Sequence, residues 1–145
     1  RPRSTGAHAR AMADGALLRV LAFEDSYDMK EILAAGGGSL ELAGIELGRI
    51  SLSQRWSSHA YLDEIREVQP DVLLLDFYMP PHTGLEVLRG VNAAVLSGEL
   101  VRPSAVLGMS SEPRCNQQML AAGADAAFVK WDVWRWEGFD GVRAD

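Results

Sequence analysis

An α/β fold, a doubly wound five-stranded parallel sheet with helices on both faces, is what the sequence predicts, and three observations predict it. From Leu17 onward short apolar runs alternate with helix-period segments five times, and such strict alternation lays parallel strands side by side with crossover helices covering both faces. The central run "DVLLLD" is apolar at every position between its two aspartates, as a strand buried from both sides requires. The first, third, fourth and fifth runs end in Glu24 and Asp25, in Asp76, in Ser110 and in Lys130. Ligands of such sheets bind beyond the carboxyl ends of the strands, at the switch in strand order.

Taken in order, "LLRVLAF" is the first strand, and Met29, Ile32 and Leu33 follow it at helical spacing. The glycine patch "AAGGGS" at 34–39 reads as a flexible connection. A weaker strand, "GIELGRISLS" at 44–53, comes next, and "SSHAYLDEIREV" then sets Tyr61, Leu62, Ile65 and Val68 on one helical face with Ser57 or Ser58 as its N-cap. After the "DVLLLD" strand, a third helix carries Leu85, Leu88, Asn92 and Val95. "SAVLGMS" is the fourth strand, Glu112 and Pro113 suit the first turn of a fourth helix running to about Ala122, and "DAAFV" is the fifth strand. A short last helix is expected to start near Trp131, limited to a few turns by Gly138 and Gly141.

A chain of 145 residues is the size of one domain, able to bury about two-thirds of its unfolded surface without disulfides or a structural metal. The single cysteine, Cys115, cannot form an internal disulfide, and no run reaches the roughly 18 apolar residues of a membrane span. A reduced, cytoplasmic setting is expected. The net charge of −6 comes from scattered acids, and no basic cluster of the kind nucleic-acid binding needs lies in the folded part. Residues 1–16 lack apolar periodicity and are expected to form a flexible tail ahead of a domain at 17–145, part of it a cloning remnant with Met12 as a candidate start.

Three carboxylates converging at one sheet edge repel one another and push at least one pKa upward. A hard divalent cation relieves that conflict, and magnesium is typically held by one or two carboxylates together with a phosphate. Three acids, one hydroxyl and one lysine therefore point to a magnesium-dependent phosphoryl site, with the lysine as a point charge and the serine as a hydrogen-bond donor to a phosphoryl oxygen. No GxxxxGK[ST] loop is present to cradle a nucleotide. The phosphoryl group is thus expected on the protein itself, with a carboxylate as covalent acceptor.

At "VLAFEDSYDMKEIL", "DVLLLDFYMPPHTGLEVL", "AVLGMSSEP" and "AAGADAAFVK", spanning nearly everything between residues 19 and 130, the chain resembles the receiver domain of two-component response regulators, a flavodoxin-like fold. The resemblance implies that a histidine kinase or phosphotransfer protein hands a phosphoryl group to Asp76. It implies that Glu24, Asp25, Asp76 and the backbone carbonyl of Tyr78 hold Mg2+, and that Ser110, Lys130 and the backbone N–H groups of Phe77 and Ser111 hold the phosphoryl oxygens. On this reading the chain is a switch that turns over only its own phosphoryl group.

Several positions depart from the family pattern. The usual aromatic position before the lysine is Ala127, with Phe128 one step later, and one residue along a strand reverses the face. Phe128 is therefore expected to pack under a helix. Trp131 stands where the family carries a proline, commonly in a cis bond. A cis bond to a non-proline residue costs about 2.5–4 kcal/mol, so a trans bond is expected, with the risk that Lys130 is displaced. The 36–53 segment is longer than the family average and has no assigned role.

Acids at strand ends can also be plain helix caps. Two rival readings follow from these departures and motifs. A degenerate receiver would dimerise or scaffold without phosphorylation. A hydrolase with an aspartate nucleophile would carry a second aspartate two residues on, where this chain has Tyr78. His82 reads as a solvated loop histidine lacking a base-orienting partner, and His8 and His59 form no metal cluster with it. Trp131, Trp134 and Trp136 cannot share one helical face, so at least one is expected to reach the surface, and a homodimer face near Trp131 and Trp134 is expected.

Overall fold

A computed structural model describes residues 17–35 and 50–142. The strands β1 (Leu18–Phe23), β2 (Ile50–Arg55), β3 (Val72–Leu75), β4 (Ala105–Gly108) and β5 (Ala126–Ala127) form one parallel sheet in the order β2-β1-β3-β4-β5. The helices α1 (Met29–Ala35), α2 (Tyr61–Val68), α3 (Gly84–Leu96) and α4 (Pro113–Ala121) alternate with them, and two 3-10 segments, Lys130–Arg135 and Glu137–Val142, follow β5. The chain steps outward from β1 to β2, then returns across β1 to β3 and continues to β5. That reversal opens a crevice at the carboxyl ends of β1 and β3.

The period-2 alternation of the strands divides the core in two. Leu18, Val20 and Ala22 of β1, with Val72, Leu74, Ala105 and Leu107, pack under Met29, Ile32 and Leu33 of α1 and under Val133 and Phe139. Leu21, Phe23, Leu73, Leu75 and Val106 face the opposite way and meet Ile65, Val87, Leu88, Val91 and Met119 from α2, α3 and α4. Continuing the same alternation, Glu24 and Asp76 fall on the first side, next to each other.

Several sequence expectations need correction. The second strand runs to Arg55 rather than Ser53, while 44–49 and the 36–49 stretch lie outside the described residues, as does the 1–16 tail. The fifth strand pairs only at Ala126 and Ala127, because Phe128 N–H still bonds Gly108 O at 2.9 Å but the chain then winds into the 3-10 segment. Helix α3 buries Gly84, Val87, Leu88, Val91 and Ala94, and Asn92 is exposed with its amide donating to Ala122 O at 2.9 Å. Helix α2 begins after Ala60 with no side-chain cap, so neither Ser57 nor Ser58 has that role.

Phe128 packs against the first cluster as expected, and so do Trp134 and Trp136. Trp131 is the exposed member of the three. The last helix is replaced by the two 3-10 segments. Among the described residues no helix is long and apolar enough to cross a membrane.

Candidate functional site

Backbone pairing continues one residue past the strand ends: Glu24 N–H donates to Arg55 O and Asp76 N–H to Phe23 O, each at 3.1 Å. This holds Glu24 and Asp76 side by side on one face, both buried. Two carboxylates so placed raise each other's energy unless a cation intervenes. Lys130, also buried, supplies one, with Nζ 2.8 Å from Glu24 Oε1 and 3.3 Å from Asp76 Oδ2. Burial, and then the Glu24 charge, push Asp76 up to about 6 against the opposing pull of Lys130 and the Phe77 backbone N–H. For Lys130 burial works against the charge, but Glu24 and Asp76 outweigh it and hold the ammonium above the usual lysine range.

The bond from Lys130 to Trp131 is not cis, as expected, and Lys130 nevertheless reaches Glu24 and Asp76. The chain enters the 3-10 segment at Lys130 itself, with Asp132 N–H bonded to Val129 O at 2.8 Å, and this turn aims the side chain into the crevice.

The loop after β1 is braced from two sides. Glu24 Oε2 accepts the N–H groups of Ser26 and Tyr27 at 2.9 and 3.1 Å. Gln54, near the end of β2, donates to Glu24 O and Tyr27 O at 2.9 and 2.8 Å and accepts Met29 N–H at 2.8 Å. Asp25 is half-buried, its Oδ1 accepting the Ser26 hydroxyl at 3.1 Å.

Glu24, Asp25 and Asp76 each offer a carboxylate oxygen, and these oxygens lie within 4.8 Å of one another. Glu24 Oε1 is buried and, among the described residues, has no hydrogen-bond partner beyond its ion pair with Lys130. An all-oxygen donor set with one under-used buried carboxylate oxygen fits a hard divalent cation.

Ser110 is buried two residues past the end of β4, and Met109 N–H bonds Leu75 O at 3.0 Å, which fixes the β4 end beside Asp76. The Ser110 hydroxyl accepts Glu112 N–H at 3.0 Å, leaving its O–H as a donor. Asn116 is the brace that sequence reasoning missed. Its Oδ1 accepts Ser110 N–H at 2.9 Å, and its amide donates to Ser110 O at 3.0 Å and Phe128 O at 2.7 Å, tying the ends of β4 and β5 together. Nothing in the sequence marks it, since its burial beside Cys115 and Met119 on the inner face of α4 shows only in the fold.

The loop after Asp76 is shaped by Gly84 and Ser58. Gly84 N–H bonds Phe77 O at 2.6 Å, and a β-carbon on Gly84 would overlap the Asp76 carbonyl oxygen. The buried Ser58 hydroxyl donates to Met79 O at 2.5 Å, has His82 O at 3.0 Å as a second acceptor, and accepts His82 N–H at 2.8 Å. Thr83 and Glu86 then form a capping box that starts α3. Tyr78 and Ser111 are exposed at the rim. His82 is half-buried, edge-on to Tyr61 and 3.9 Å from Glu86 Oε1, outside the acidic cluster.

No family model and no curated protein matches the sequence. Solved structures do. The chain is similar to the chemotaxis protein CheY4 of Vibrio cholerae at 22% identity and TM-score 0.58, over 79% of this chain and 88% of that one. It is similar to a LuxR-family DNA-binding response regulator of Staphylococcus aureus at 21% identity and TM-score 0.61, over 87% and 96%. It is similar to the receiver domain of the histidine kinase CKI1 of Arabidopsis thaliana at 18% identity and TM-score 0.60, over 86% and 89%. With the strand order and the doubly wound connectivity, these matches give the chain the flavodoxin-like fold of response-regulator receiver domains.

Proposed function

We propose that this chain is a phosphorylation-dependent receiver, with Asp76 as the acceptor. In the transfer a carboxylate oxygen of Asp76 forms a bond to phosphorus as the phosphorus–nitrogen bond of a phosphohistidine donor breaks, and the departing imidazole takes its proton from solvent. Catalysis of such a step is positioning and charge neutralisation. Glu24, Asp25, Asp76 and the Tyr78 carbonyl would hold Mg2+, which when bound neutralises charge on the phosphoryl oxygens. Lys130 supplies a second positive charge, the Ser110 hydroxyl a donor, and the N–H groups of Phe77 and Ser111 further donors. The donor is a histidine kinase or phosphotransfer protein, and the phosphoryl group biases a two-state arrangement around Ser110 that a partner reads. Pairing of two copies at the Trp131 end belongs to the same proposal and is read from the particle mass in solution.

The observation that carries this reading is the convergence of Glu24, Asp25 and Asp76 with Lys130 in one buried crevice at the carboxyl edge. Three acids and a lysine brought together from three strand ends favour a site over plain helix capping. The aspartate-nucleophile hydrolase lacks its second acid, since Tyr78 stands there exposed.

Intact-protein mass after incubation with acetyl phosphate and magnesium tests the proposal. A phosphate-sized gain in the wild type, absent from Asp76→Asn and absent without metal, is expected. A folded sample that gains no mass while a control receiver is labelled would favour the phosphorylation-independent binding module.

A further inference from the structure

We propose that Tyr27 and Trp131 form an aromatic clamp that positions Lys130 for phosphoryl transfer, an inference that rests on the receiver reading above. Lys130 Nζ lies 5.2 Å from the centroid of the Tyr27 ring and 6.0 Å from that of Trp131. The two rings meet edge to face, 4.8 Å apart at 85°, joining the loop after β1 to the segment after β5. Both rings are about half exposed, at 48% and 47%, whereas Lys130 is 5% exposed. The ammonium is therefore held between two carboxylates on the inner side and two aromatic rings on the solvent side.

A lysine side chain is a point charge on a flexible four-carbon stem, so contacts beyond the two carboxylates narrow its range further. Ring faces attract the ammonium through their quadrupoles while offering water no competing acceptor. Tyr27 is itself pinned, its N–H on Glu24 Oε2 and its carbonyl on Gln54, so one partner of the clamp is anchored to an acid of the site. Trp131 is in this way more than a replacement for the family's proline.

Leucine and phenylalanine substitutions separate ring chemistry from simple packing. In magnesium and acetyl phosphate, Tyr27→Leu and Trp131→Leu are each expected to slow phosphorylation by about three- to fivefold, the range of a partly exposed cation–π contact. Tyr27→Phe and Trp131→Phe, which keep a ring face, are expected to stay within about twofold of the wild type on the same scale. Leucine variants as fast as wild type, or phenylalanine variants as slow as leucine, would overturn the clamp. A wild type that takes up no phosphate would sink the receiver reading instead, and a second measurement then still decides the clamp. In a urea-unfolding cycle of Lys130→Met, Trp131→Leu and the double variant, non-additive shifts support it and additive shifts refute it.

Discussion

Gly84 lies directly against the Asp76 carbonyl oxygen, at a distance that leaves no room for a β-carbon. The contact fixes how the first residue of α3 meets the end of β3, and Gly84 N–H locks it by bonding Phe77 O at 2.6 Å. Gly84→Ala must push the Asp76 backbone aside. We expect a stability loss of about 1–3 kcal/mol, the range of overpacking in a filled interior. The urea midpoint checks it, and a midpoint within error of wild type would contradict the close packing.

Ser58 ties the loop before α2 to the loop after Asp76 through three contacts of one hydroxyl group. Ser58→Ala leaves Met79 O and His82 N–H unpaired in a buried place, a loss of about 1–3 kcal/mol. Because Tyr78 lies in the loop so held, magnesium affinity measured by titration calorimetry should fall with stability. Unchanged affinity in a destabilised variant would show that the loop keeps its shape without Ser58.

Asp76 is expected to give the metal-free protein an unusual pH profile. Its carboxyl rises from 3.8 to about 6 in the folded protein, chiefly through burial. The folded state thus binds a proton more tightly than the unfolded state, and this group's contribution to stability falls as pH rises from about 4 to about 6. The net effect is about 1–2 kcal/mol after allowance for solvent screening. Urea unfolding of wild type and Asp76→Asn across this window, in chelator, isolates it: the variant's advantage should grow with pH and level off above 6. Magnesium should shrink that advantage by stabilising the wild type.

Asn116 makes three hydrogen bonds that join the ends of β4 and β5. Asn116→Ala strands the Ser110 and Phe128 backbone groups and is expected to cost about 1–3 kcal/mol. Amide hydrogen exchange at Ser110 should accelerate in the variant relative to amides in β1. Equal protection at both places would mean that the β4 end is held by packing alone.

The strands and the acids were legible because their signals are local. "VLLL" between two aspartates reads as a central strand, and Glu24, Asp76 and Lys130 each follow a short apolar run. Ser58 was not legible, since its residue type and place fit an N-cap while its hydroxyl serves carbonyls more than twenty residues away. On α3, Leu88 is buried and Leu85 and Val95 pack against the same cluster, as expected, and only Asn92 turns out to be exposed, its place in the core taken by Val91 and Ala94. Gln54 and Asn116 escaped notice for a shared reason. An amide that braces a distant loop looks, in sequence, like an amide facing water.

The Gln54 amide has a consequence for the birth of the molecule. It holds the Glu24 and Tyr27 carbonyls and the Met29 N–H from 25 to 30 positions away in the chain. The acidic loop therefore cannot reach its final shape until the outermost strand has docked, although its own residues are made first. Without that strand the loop carrying Glu24 and Asp25 lacks the braces that set its shape. On the receiver reading proposed above, uptake of a divalent ion would mark a finished domain, and a refolding chain should acquire it only in the same kinetic phase that seals the sheet edge.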